Sequence, residues 1–131
     1  MQVSTVNTLL PDSKKAGILT ISKSTLSDAH LRAANVPSDT PIGTTEDGAE
    51  FSRVILNDEL QLNIELARMD NINAALKMKT NHPDLGAIIL ECTNMSPYAE
   101  AIQEAVELPV FSIVNLVEWL HAGLKPKRFS S

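Results

Sequence analysis

LGAIILECTN, residues 85–94, opens with six apolar or glycine residues in a row and turns polar at Glu91. A short run without alternation is the pattern of a strand buried on both faces, as in a parallel sheet covered by helices. The strand is expected over residues 85–92. AGILTIS (residues 16–22) and PVFSIV (residues 109–114) have the same character, and TPIGTT (residues 40–45) is a weaker fourth candidate.

Helical patterns lie between these runs. Thr25 is a possible N-cap with Asp28 as its capping-box partner, followed by Leu26, Ala29, Leu31 and Ala33, with Pro37 as the stop. A short helix is expected over residues 50–57 and a long one over residues 59–80. In the long one Ile64, Ala67, Ala74 and Met78 keep helical spacing, with Leu62, Leu66, Met69 and Leu76 in neighbouring rows. Ser96 then reads as a cap with Pro97 at the first helical position, and that helix runs to Val106. Asn115, with Glu118 three residues on, reads as the cap of a last helix whose Leu116, Leu120 and Leu124 face inward and which Trp119 anchors. The alternation predicts an α/β fold: a three-layer sandwich with a mostly parallel sheet of about four strands and right-handed crossovers.

The chain has 131 residues, enough for one core, with 44% hydrophobic and 21% charged residues. No apolar run approaches the roughly 18 residues of a membrane span, so no membrane partner is expected. A single cysteine allows no internal disulfide, and the N-terminus lacks the pattern of a signal peptide, which makes the cytoplasm the expected compartment. The net charge of −5, without a basic stripe or stacking aromatics, argues against nucleic acid.

In an open α/β sheet, ligands bind beyond the carboxyl ends of the strands. Here those ends carry small polar residues: SKST (residues 22–25), CTNM (residues 92–95) and the pair Val114 and Asn115. Each leads into an expected helix N-terminus, which offers free N–H groups to a carboxylate or phosphate. The lone cysteine, Cys92, falls at one of these ends. Thiols at helix N-termini have their pKa lowered from about 8.5 into the range of roughly 3.5–7.5, which makes a base or nucleophile. The competing reading is a buried core cysteine, and position alone does not choose between them. His30, His82 and His121 have no metal-ligand spacing and read as surface or boundary histidines. GTTEDG (residues 43–48) lacks the lysine of a phosphate loop and reads as a turn.

With these residues in view, GAIILECTNMSPYAEAIQEAVELPVFSIVNLVEWL (residues 86–120) resembles the C-terminal half of the aspartate/glutamate/hydantoin racemase superfamily, in the branch of aspartate/glutamate racemase family proteins. GILTISKSTL (residues 17–26) resembles the start of the same half. The resemblance implies one lobe of a two-lobed fold in which each lobe supplies a cysteine. One thiol removes the α-proton of a small amino acid and the other returns a proton to the opposite face, with no metal and no cofactor. It implies that Cys92 is the acid/base, that Thr93 and Asn94 bind the substrate carboxylate, and that Ser24 and Thr25 assist from the first strand end. Glu91 stands where many relatives have a small residue. It either faces the cleft and tunes specificity or pairs with a neighbouring charge, and pairing is the preferred reading.

The family chain is near twice as long. Residues 1–131 are therefore expected to be a single lobe, with residues 1–15 leading in from a missing first lobe and residues 125–131 forming a basic tail. One cysteine cannot supply both thiols, although a homodimer can bring two copies of Cys92 together. The expected function is a racemase-type isomerase in truncated form. The alternatives are an inactive fragment, a carboxylate-binding lobe, or a single-cysteine decarboxylase or isomerase.

Overall fold

Four parallel strands form one sheet in the order β2-β1-β3-β4, and this order determines where a site can lie. The computed structural model describes residues 2–23 and 26–130. Along the chain come α1 (Gln2–Leu9), β1 (Lys15–Thr20), α2 (Asp28–Ala33), β2 (Ile42–Thr44), α3 (Phe51–Leu56), α4 (Ile64–Asn81) and β3 (Leu85–Leu90). A 3-10 turn (Thr93–Tyr98) then leads into α5 (Ala99–Val106), followed by β4 (Val110–Phe111) and α6 (Ile113–Leu124). The expected α/β sandwich with a four-stranded parallel sheet is what the chain forms.

Alternate side chains of β1 and β3 feed two cores. Leu19, Ile88 and Leu90 pack with α3, α4 and α5, whereas Ala16, Ile18, Ala87 and Ile89 pack with α1 and α2. Both faces of the central strands are thus covered, which is why they read as unbroken apolar runs. Near the middle of the sheet Gly17 admits α4 closely: an added Cβ would lie 2.6 Å from Leu85 Cδ1 and 2.8 Å from Met78 Cε. The N-terminal segment, read as a lead-in, contributes α1, whose Val3 and Val6 are buried in the second core.

Several local expectations are corrected. Thr25 lies outside the described residues, and α2 is capped by Ser27, whose side chain accepts the N–H of His30. On α4 the buried face is Ala67, Asp70, Asn71, Ala74, Ala75 and Met78, while Ile64, Leu66, Met69 and Leu76 are exposed. Small residues win that face because the helix must approach α5 and the sheet closely. Ser96 does not cap a helix. It lies inside the 3-10 turn, and its buried Oγ has no hydrogen-bond partner. The last helix starts three residues earlier than expected: Ser112 is its cap, in a reciprocal capping box with Asn115. Its Leu120 and Leu124 are exposed, as is Trp119, so the expected inward face is not buried.

A buried carboxylate ties two of these elements together. Asp70 of α4 accepts the backbone N–H groups of Ala49 (3.0 Å), Glu50 (2.7 Å) and Phe51 (2.8 Å), satisfying donors at the start of α3 that have no partner within that helix. Phe51 is fully buried and meets Tyr98 edge to face, with ring centroids 5.6 Å apart.

Candidate functional site

The connection from β1 to β2 runs to one side, and the return to β3 crosses to the other side of β1. The carboxyl ends of β1 and β3 therefore flank the point where the strand order reverses, the place where α/β sheets open a crevice. A cleft of about 470 Å³ lies there, lined by Thr20, Ile21, Ser22, Leu26, His30, Leu56, Glu91, Cys92 and Thr93. That volume is in the range of small-molecule sites.

Cys92 is half-buried at the end of β3, packed on one side against the first core and open on the other to the cleft. Its carbonyl accepts the N–H of Met95 (3.0 Å), which starts the 3-10 turn. The α-helix expected from Pro97 begins at Ala99. The thiol therefore stands at the head of a six-residue 3-10 turn rather than against the first turn of a long helix.

Thr93 lines the cleft beside Cys92. Asn94 is exposed and is not among the cleft-lining residues. Ser24 and Thr25 lie outside the described residues. The expected set is thus brought together at Cys92 and Thr93 only.

The residues that sequence reading missed come from β1 and α2. Among the described residues Glu91 pairs with no neighbouring charge. Its Oε2 accepts the hydroxyl proton of Thr20 (2.9 Å), and the residue lines the cleft. The register explains this contact. Leu19 is paired with Leu90, so the next residues, Thr20 and Glu91, stand side by side on one face at the sheet's edge. The Thr20 hydroxyl also accepts the N–H of Ser22 (3.3 Å), which leaves its proton directed at Glu91. A neighbouring chain of hydrogen bonds, from Thr45 to Ser52 (2.6 Å) and from Ser52 to the carbonyl of Ile21 (2.8 Å), fixes the β1 end against α3. His30, read as an ordinary surface histidine, is exposed but contributes to the cleft wall from α2. Among the described residues no group of three His, Cys, Asp or Glu side chains is placed to hold a metal ion. No helix among them is long and apolar enough to cross a membrane.

This arrangement offers a thiol, a carboxylate, an imidazole and three hydroxyls around a pocket with apolar walls at Ile21, Leu26 and Leu56. It is equipped for proton transfer on a small molecule carrying both polar and apolar parts.

Comparison with known proteins gives this chemistry a direction. A 41-residue segment, 31% of the chain, is 40% identical to Dimethylsulfoniopropionate lyase 5 of Emiliania huxleyi (strain CCMP1516) and spans 8% of that protein. A 62-residue segment, 47% of the chain, is 30% identical to the Dimethylsulfoniopropionate lyase of Durusdinium sp. clade D and spans 21% of it. The matched parts thus cover less than a quarter of these relatives' lengths. No protein-family model and no solved structure matches the chain.

These relatives correct the functional expectation. They are named as lyases of a dimethylsulfonio acid, not as amino-acid racemases, so the racemase assignment and the isomerase reading that followed from it do not stand. Neither does the decarboxylase or isomerase alternative. The physical reason is that the outcome of a reaction at carbon depends on what leaves the neighbouring carbon. A short motif around the thiol carries no information about the leaving group.

Proposed function

We propose that this chain forms the thiol-bearing part of a lyase site that cleaves a small β-sulfonio carboxylate by elimination. Cys92, as thiolate, takes the proton from the carbon next to the carboxylate, so that a C–H bond breaks and an S–H bond forms. The electron pair becomes a carbon–carbon double bond, and the bond from the β-carbon to sulfur breaks. Sulfur keeps that bond's electrons and leaves as neutral dimethyl sulfide, with acrylate as the other product. Thr93 and His30 line the same cleft and can donate to the carboxylate, on which negative charge builds as the proton is removed.

The observation that carries this reading is the position of Cys92, half-buried but open to the cleft at the strand-order reversal. The names of the relatives support the substrate class. A reducing compartment such as the cytoplasm would keep the Cys92 thiol free.

The test is incubation of the purified chain with dimethylsulfoniopropionate, following acrylate by proton NMR and dimethyl sulfide by gas chromatography. Equal amounts of the two products are expected. Cys92→Ala and Cys92→Ser should lower the rate by at least about 100-fold, the usual minimum for removing a general base. No product from the folded chain, or an undiminished rate in both variants, would overturn the proposal.

A further inference from the structure

Glu91 is the one carboxylate among the described residues lining the cleft, and no lysine or arginine among them lines it. Lys23, which follows β1 in the chain, lines a neighbouring cavity instead. Glu91 is exposed, yet its orientation is constrained. Thr20 is almost fully buried, and its hydroxyl, oriented by the N–H of Ser22, donates to one carboxylate oxygen at 2.9 Å. Among the described residues the second oxygen, Oε1, has no hydrogen-bond partner. Ile21, Leu26 and Leu56 supply apolar walls to the same cleft.

A fixed negative charge among apolar walls suits a cation whose charge is wrapped in methyl groups. Such a cation offers no hydrogen-bond donor and is only weakly hydrated, so a carboxylate and hydrocarbon together serve it better than a cage of polar groups. The same carboxylate repels a ligand that is only an anion.

Resting on the lyase reading above, we infer that Glu91, held by Thr20, is the specificity residue that selects a ligand with a methylated onium group at one end and a carboxylate at the other. It does this by charge, independently of the proton transfer at Cys92. Glu91 thus selects and Cys92 reacts.

The experiment compares two ligands of nearly identical shape. Dimethylsulfoniopropionate carries a sulfonium, and 4-methylpentanoate has a neutral CH in place of the sulfur. Dissociation constants are measured by NMR titration on the Cys92→Ser protein, in which turnover is removed. Exposed charge pairs are modest, so the sulfonium ligand should bind about three- to fivefold more tightly, with the preference shrinking in high salt.

Adding Glu91→Gln should bring the ratio to about one by weakening the sulfonium ligand, while 4-methylpentanoate binds as well as before or better. Glu91→Asp should keep a preference. Equal binding of the two ligands, an unchanged ratio in Glu91→Gln, or no binding of either ligand would overturn the inference. A preserved preference in a chain that never forms acrylate would instead remove the lyase reading and leave Glu91 as an onium-selecting residue.

Discussion

Asp70, in the middle of α4, accepts the backbone N–H of Phe51 at 2.8 Å and that of Glu50 at 2.7 Å, so the long helix holds the start of α3 through one carboxylate. The contact is buried, and removing it leaves N–H groups without partners. Asp70→Ala should lower unfolding free energy by about 2–4 kcal/mol in urea titration, the range for deleting a charged hydrogen-bond acceptor and stranding its donors. Asp70→Asn keeps an oxygen and should lose less. An Asp70→Ala protein as stable as the parent would mean that α3 is held by Phe51 packing alone.

Glu50, next in this network, should make stability fall in acid. Its carboxylate accepts the N–H of Asn63 (3.1 Å) and an Arg53 guanidinium N–H (2.8 Å), and these hold its pKa below the ordinary glutamate value, the Asn63 bond being the larger cause. A folded pKa below the unfolded one gives stabilisation that is fully present above the ordinary value of about 4.3. It is lost as pH falls below that value and through the folded pKa. Thermal melts between pH 6 and pH 3 should show this decline, and Glu50→Gln should have a shallower one. Parallel curves for the two proteins would remove Glu50 as a contributor.

Gly17 lies where Met78 of α4 packs against the sheet. A Cβ there would sit 2.6 Å from Leu85, 2.8 Å from Met78 and 3.2 Å from the carbonyl of Pro41. Met78 can shift, but the carbonyl belongs to the backbone beside β2. Gly17→Ala should therefore destabilise by about 1–3 kcal/mol, as overpacked cores do. Coupling Gly17→Ala with Met78→Ala tests the cause, since the double variant should lose less than the sum of the singles.

The outer face of α6 makes a prediction about behaviour in solution. Ile113, Val117, Leu120 and Leu124 follow a 4-3-4 spacing and are 39%, 56%, 54% and 85% exposed. Such a stripe favours association with another apolar surface. Sedimentation should show concentration-dependent self-association that Val117→Glu with Leu120→Lys abolishes. Because neither side chain is buried, the melting temperature should stay within a degree or two. A strictly monomeric parent chain would contradict this.

The sheet was legible because its central strands are buried on both faces. That makes LGAIILEC and AGILTIS continuous apolar runs with boundaries at small polar residues. Helices α2 to α6 were legible in existence and less so in orientation, whereas α1 lies in the segment read as a lead-in. On α4 the row of Ile64, Ala67, Ala74 and Met78 was legible and its last three members are buried, but Ile64 and the neighbouring Leu66, Met69 and Leu76 are exposed. Close approach to α5 and the sheet rewards small side chains there, and periodicity registers hydrophobicity rather than the space available. On α6 the apolar pattern was genuine, but among the described residues nothing covers Leu120 or Leu124.

What the sequence determined by itself was the α/β class, the existence of four parallel strands, and a lone thiol at the end of the third. These follow from local patterns of burial and chain punctuation. Only the tertiary structure decided that Thr20 and Glu91 meet, that His30 joins their cleft, and that Asn94 is not among its lining residues. Those contacts depend on strand register and on the reversal of strand order, which bring together residues 71 positions apart. Identity along the chain carries no record of that distance until the sheet has formed.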